Sequence, residues 1–193
     1  MINRDVYLQF AVFIFSSLLA VSASAQGVTP STDDYVQRTE VLTSQVLNEE
    51  RTVTVQLPKS YFKNPNRRYP VIYRLDGKGN LPFMTAVIER LHDADTPAAP
   101  EVIIVAIENT DRLRDFYPTK NEEPAGPVGI GGGAPKFLKF IATELIPFVN
   151  KEYRTHDYKV IAGSSAGGVF VLYALQANPG LFQAHIAYSP AVW

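Results

Sequence analysis

Cysteine is absent from this 193-residue chain, which excludes disulfide scaffolds, thiolate metal sites, a cysteine nucleophile and lipid attachment at a thiol. An excess of charge of one sign is also lacking. Lys and Arg number 18 against 19 Asp and Glu, a formal net charge of −1, so no nucleic-acid partner is expected. Histidine occurs only three times, at His92, His156 and His185. Hydrolytic chemistry near neutral pH usually needs an imidazole in one specific place, so each of the three has to be weighed. What is present is ordinary globular material. Hydrophobic residues at 46% and charged residues at 19% can bury a core, and they exclude a disordered or collagen-like chain. The length suits one domain.

The first 25 residues differ from the rest. Met1 to Asp5 is polar with Arg4, Phe10 to Val21 is mostly apolar, and Ala23-Ser24-Ala25 presents small residues before Gln26. This order is that of a secretory signal peptide. The apolar run contains Ser16 and Ser17 and falls short of the roughly 18 to 20 residues needed to span a bilayer, so no stable membrane anchor is expected after cleavage. A cysteine-free exported protein suits a periplasm or the extracellular space. Gln26 to Gln37, rich in Thr, Ser, Asp and Pro, reads as an extended leader, with the domain beginning near Arg38.

From Arg51 to Leu57 the chain alternates, Val53, Val55 and Leu57 on one face and Thr52, Thr54 and Gln56 on the other, which predicts a half-solvated strand. Glu40 to Leu47 is its expected hairpin partner. Val71 to Leu75, Glu101 to Ile107, Lys159 to Ala162 and Ala184 to Tyr188 are short apolar runs with little alternation, as in parallel strands covered on both faces. Helical spacing appears from about Pro82 to His92, from Pro135 to Tyr153 with an expected kink at Pro147, and from Ala166 to about Gln176, ending before Asn178-Pro179. An α/β fold with a mainly parallel sheet and antiparallel N-terminal strands follows.

Lys159-Val160-Ile161-Ala162 leads directly into Gly163-Ser164-Ser165-Ala166-Gly167-Gly168 and then an apolar helix. A G-x-S-x-G sequence between strand and helix is a nucleophile elbow, in which the central Ser sits on a strained turn above the sheet and its neighbours must be small. Ser165 is that residue, and Ser164 before it is expected to be structural. Two backbone N–H groups are needed for the oxyanion of a tetrahedral intermediate. Ala166 supplies one. The second is expected from the loop Arg74 to Asn80, with Lys78 the first choice and Gly77 the second; a plain Asp-Gly turn is the competing reading. Gly129-Ile130-Gly131-Gly132-Gly133-Ala134 fits a loose dinucleotide pattern but follows a polar, proline-rich stretch rather than a strand, so no nucleotide cofactor is expected. Asp93 with Asp95, and Asp111 with Asp115, lack the spacing of a cation loop, so no metal is expected.

The chain resembles the esterase family of the α/β-hydrolase superfamily that contains enterochelin-esterase-like and IroE-like hydrolases. The resemblance rests on Tyr69-Pro70-Val71-Ile72-Tyr73-Arg74-Leu75-Asp76-Gly77 and on Ile107 to Asp115. It continues through Phe137-Leu138, Glu144-Leu145-Ile146-Pro147, the elbow, and Ser189-Pro190 with Trp193. It implies an α/β-hydrolase fold, Ser165 as nucleophile, and an oxyanion hole from Ala166 and the Gly77-Lys78 loop, acting on a small-molecule carboxylic ester. It further implies that Asn109 to Asp115 lies near the active site, making Arg112, Arg114 and Asp115 candidates for shaping the substrate site; a salt-bridged surface loop is the alternative.

Such hydrolases order their triad Ser, then Asp or Glu, then His. After Ser165 the one histidine is His185, inside an apolar strand and several residues short of the sheet edge where Ser165 sits. His156 precedes the elbow strand and His92 ends a helix running back from that edge, so neither is expected to be the base. The C-terminal part of the fold, with acid and base, is therefore expected to lie beyond Trp193. A domain that binds without turnover is the competing class. For the leader the expectation is export with cleavage after Ala25. N-terminal sequencing of the secreted protein should begin at Gln26, and recovery of Met1 would refute it.

Overall fold

The computed structural model describes residues 35–122 and 129–191. The segment expected to be a signal peptide, most of the expected leader, part of the glycine-rich stretch and Trp193 lie outside the described residues. Strands β1 (Val36–Ser44) and β2 (Glu49–Leu57) form the expected antiparallel hairpin, with Val36 opposite Leu57 and Ser44 opposite Glu49. Strand β1 starts two residues inside the segment assigned to the leader, because Val36 and Gln37 find partners there. Gln37 donates to the Gln56 side chain at 2.9 Å.

Strands β3 (Tyr69–Arg74), β4 (Ile103–Ile107), β5 (Thr155–Ser164) and β6 (Ala184–Tyr188) complete a six-stranded sheet of order β1-β2-β4-β3-β5-β6. β2 joins β4 antiparallel, and β4, β3, β5 and β6 are parallel to their neighbours. Helices cover both faces, as continuous apolar strands require. On one face Ile72, Ile104, Ala106 and Val160 meet Leu81 and Met84 of α1 (Gly77–His92). On the other, Val55, Tyr73, Val105 and Ile161 pack with residues of α2 (Arg112–Phe116), α3 (Ala134–Phe140), α4 (Ile146–Glu152) and α5 (Ala166–Ala177).

One expectation is corrected by this layering. Strand β2 is not half-solvated, since α1 covers its polar face. Thr54 and Gln56 are buried, and Gln56 donates to the Thr85 hydroxyl at 2.6 Å. Just before Pro147 a π-helical turn, Ile141–Leu145, links α3 to α4, and the Ile146 N–H reaches back five residues to the Ile141 carbonyl. Pro147 has no N–H to donate and follows this widened turn, where helix can continue around it. Within the turn, Glu144 accepts from the Ser44 hydroxyl at 2.6 Å and from the N–H groups of Gln45 and Val46 at 3.0 Å, tying down the β1–β2 hairpin.

Arg51 of β2 is fully buried. Its Nη1 donates to Asp115 of α2 at 2.7 Å and to Glu49 at 2.8 Å, its Nη2 donates to the Glu108 carbonyl at 3.2 Å, and its guanidinium lies 4.9 Å from the Phe137 ring centroid. Removing one partner from a buried pair leaves the other charge uncompensated, at a cost of about 3–5 kcal/mol. Glu49 leaves Arg51 partly paired, so Asp115→Ala should destabilise the chain by up to about that amount in chemical denaturation, whereas Arg51→Met with Asp115→Leu should recover most of it. A loss below about 1 kcal/mol for the single variant would contradict this account.

Candidate active site

Ser164 ends β5 and Ala166 begins α5, so Ser165 forms the whole connection. Its backbone stands at φ 54°, ψ −122°, a sparsely populated region that costs of order 1–3 kcal/mol for a residue with a side chain. Packing around the turn imposes that conformation. A Cβ on Gly163 would lie 2.3 Å from the Gly167 carbonyl oxygen, and one on Gly168 would lie 3.1 Å from Pro190 Cα. The turn is also stitched to the end of β6 and the segment after it: the Ser165 N–H donates to the Tyr188 carbonyl at 3.0 Å, and the Ala191 N–H donates to the Ser165 carbonyl at 3.1 Å. Ser165 occupies the N-cap of α5, yet its hydroxyl makes no capping bond and the residue is exposed. The result is a serine presented to solvent with Ala166 buried beneath it.

The turn after β3 lies alongside. Arg74 is in register with Ala162, and the Leu75 N–H donates to the Ala162 carbonyl at 2.9 Å. The expected loop from Arg74 to Asn80 is in fact the start of α1, which begins at Gly77 rather than near Pro82. The glycines that suggested a loop serve close approach instead. A Cβ on Gly77 would lie 2.8 Å from Glu108 Cα, and this glycine sits at φ 36° directly after Asp76 at φ 59°. Gly77 and Lys78 are thus the first two residues of a helix whose N-terminus meets the elbow edge, where backbone N–H groups have no intrahelical partner.

Charged side chains cluster around these turns. Arg112 donates to both carboxylate oxygens of Asp76, with Nη2 at 3.1 Å from Oδ2, and its Nη2 also lies 3.4 Å from the Ser164 carbonyl. Asn109 donates to Asp76 at 2.9 Å. Arg74, buried at 4% exposure, donates to the Ala162 carbonyl at 3.1 Å and to the Ser164 hydroxyl at 3.3 Å, which gives Ser164 the structural role expected of it. Desolvation pulls the Arg74 guanidinium below its ordinary pKa, against the opposing field of Asp76. Arg114 is committed to Glu49, at 2.7 Å, and to Asp115. Asp115 is 1% exposed with both oxygens engaged, so it cannot line a substrate site and instead supports the α2 segment. An open cavity of about 460 Å³ borders Arg112, Arg114 and Ile130 on the solvent side.

A family model described as "Putative esterase" matches residues 44–193. The chain belongs to this esterase family. It is 34% identical over 169 residues to a ferri-bacillibactin esterase, BesA, of Bacillus subtilis, covering 80% of this chain and 58% of that protein. It is 30% identical over 141 residues to a siderophore enterobactin esterase of Emericella nidulans, covering 63% of this chain and 46% of that one. Among solved structures, an IroE-like serine hydrolase from Shewanella oneidensis superposes with a TM-score of 0.71 at 36% identity, over 80% of this chain and 50% of that one. The α/β-hydrolase fold is thereby shown, and the chain spans about half the length of the relatives it matches.

In this esterase-family chain none of the three histidines stands at the elbow. His156 is the second residue of β5, eight positions before Ser164, so about 26 Å of extended strand separates them. His92 ends α1, with Nδ1 3.1 Å from the Ala99 carbonyl. His185 pairs with Ile161, three positions short of the Tyr188–Ser164 pair, and packs edge-on to Phe182 at 5.8 Å. The sequence reasoning missed Asp76 and Asn109, because Leu75-Asp76-Gly77 resembles any Asp-Gly turn until Arg112 is brought to it.

Burial of His185, whose Nε2 has no hydrogen-bond partner among the described residues, pushes its pKa below the ordinary 6.5. The unfolded chain then takes up a proton more readily than the folded one as pH falls through about 6.5. Stability should be constant above that pH and decline below it, down to the depressed folded value. His185→Phe should flatten the decline just below pH 6.5 in melting-temperature measurements. Identical pH profiles for the two proteins would refute the assignment.

Proposed function

We propose that this chain carries the nucleophile half of a serine esterase that hydrolyses small-molecule carboxylic esters through an acyl-enzyme. The observation that carries the reading is Ser165, an exposed hydroxyl held at φ 54° with no capping duty. Its oxygen attacks the ester carbonyl while the N–H of Ala166, and that of Lys78 or else Gly77, receives the oxyanion; expulsion of the alcohol leaves the acyl group on Ser165, and water releases the acid. The proton on the Ser165 hydroxyl needs an imidazole base oriented by a carboxylate. The positions of His92, His156 and His185 support supply of both groups from polypeptide beyond Trp193. Arg112 and the exposed side of Arg114 border the cavity through which substrate would approach. The names of two curated relatives make siderophore esters the first substrates to assay. Export, with removal of the first 25 residues, places the reaction in the periplasm or outside the cell. Among the described residues no helix is long and apolar enough to cross a membrane. A role in binding alone, the other class open to the sequence, gives no use to a strained and uncapped Ser165.

In the protein expressed from its full reading frame, Ser165→Ala should lower kcat by a factor on the order of 10⁴ or more. Ser164→Ala, which removes only the hydroxyl that accepts from Arg74, should cost far less. Fluorophosphonate labelling should disappear in the Ser165 variant alone. Esterase activity surviving in Ser165→Ala, or a label found on Ser164, would overturn the nucleophile assignment.

A further inference from the structure

Asp76 occupies the N-cap of α1 and does not cap it. Aspartate is among the strongest N-cap residues, since its carboxylate accepts from the N–H groups of the second and third helical residues, and the helix dipole favours negative charge there. Here the carboxylate faces away. It receives Nε and Nη2 of Arg112 and Nδ2 of Asn109, and its Oδ2 borders the elbow, where a Cβ on Gly167 would lie 3.2 Å from it. The residue itself is held at φ 59°, ψ 30°, in the left-handed region rather than the extended conformation usual for an N-cap. Arg112 reaches the other turn as well, through the Ser164 carbonyl at 3.4 Å.

We propose that Arg112 is a positioning residue that keeps the N-terminus of α1 open by holding the Asp76 carboxylate away from it. The inference rests on the reading above that N–H groups at this helix start receive the oxyanion. A carboxylate seated on the N–H groups of Lys78 or Gly79 would compete with the oxyanion for the same donors and place a second negative charge beside it. Arg112 removes that competitor by giving the carboxylate two charged hydrogen bonds, and Asn109 adds a third from the same segment. Because Arg112 also meets the last carbonyl of β5, the two turns that supply the oxyanion donors are referenced to one guanidinium. Arg112 acts on the reaction through Asp76 and need not touch the substrate.

The test is a double-mutant experiment on the protein expressed from its full reading frame, with a p-nitrophenyl ester as substrate. Arg112→Ala frees the carboxylate to cap α1, and kcat should fall about 10²-fold with KM little changed, the loss expected when an oxyanion donor is taken away. Adding Asp76→Gly removes the competing carboxylate and suits the left-handed conformation, so the double variant should regain about tenfold or more in kcat over Arg112→Ala. A merely structural role predicts the opposite, because the double variant has lost still more contacts. The proposal is overturned if the double variant is as slow as the single one, or if kcat for Arg112→Ala stays within about twofold of the parent. Should Arg112→Ala fail to fold, Arg112→Gln is carried through the same pair of measurements. Ser165→Ala, assayed in parallel, separates the two levels: activity retained there sinks the nucleophile reading itself, whereas activity lost there with no recovery in the double variant sinks only the role of Arg112.

Discussion

One fully buried guanidinium decides where the charged edge of the sheet stands. Arg51 comes from β2, and beside Glu49 of its own strand it gathers partners from three other elements: Asp115 from α2, the carbonyl after β4, and the Phe137 ring of α3. A buried pair of this kind tolerates little movement, since the attraction offsets desolvation only while the geometry is kept. The segment Arg112–Phe116 is therefore fixed at its C-terminal end, by the buried Asp115 and by Phe116, which packs on Phe137 and Phe170 at 5.9 Å and 6.0 Å. Arg112 stands on that segment. Its grip on Asp76 is only as good as the anchoring of α2, so a charge pair on the far side of the segment helps set the turn after β3.

The elbow depends on close approach rather than on charge. Gly163 leaves no room for a methyl group between strand and helix, Gly167 leaves little beside the Asp76 carboxylate, and the energy stored in the Ser165 backbone is offset by hydrogen bonds to the end of β6 and the segment following it. Both turns at this edge carry a positive φ in a residue with a side chain, Asp76 in one and Ser165 in the other. Strain at two adjacent positions is hard to account for by packing alone, since either could have been glycine. Each side chain has a use that glycine cannot supply: a carboxylate for Arg112, and a hydroxyl in the open.

Much of this was legible in the sequence because the signals were local. The alternation of β2, the short apolar runs of the parallel strands, and the strand-turn-helix setting of Gly163 to Gly168 all report contacts with near neighbours, and the fold and elbow follow from them. What escaped was long-range. The start of α1 was hidden by Gly77 and Gly79, because the reason for Gly77 is Glu108, thirty-one residues away and visible only once β3 and β4 pair. The partners of Arg114 and Asp115, Glu49 and Arg51, lie some sixty residues earlier, so nothing near them in the sequence announces these ion pairs. Polar residues on β2 looked solvated because nothing in their spacing announces a covering helix. Charge pairing across the sheet is written in no local period.

The π-helical turn between α3 and α4 has a consequence for how the chain can vary. Such a turn is what a helix becomes when it absorbs one extra residue without shifting either flank. Here the surplus lies within Ile141–Leu145, and this stretch both turns Glu144 toward the β1–β2 hairpin and keeps Ile141 and Leu145 in the core. Losing one residue from it would restore a regular helix and rotate one flank by roughly 100°, so that either the hairpin loses its carboxylate or the core loses a side chain. Length at this point is therefore constrained as tightly as identity is at the elbow. Relatives that differ here by one residue would have to anchor their first hairpin by other means.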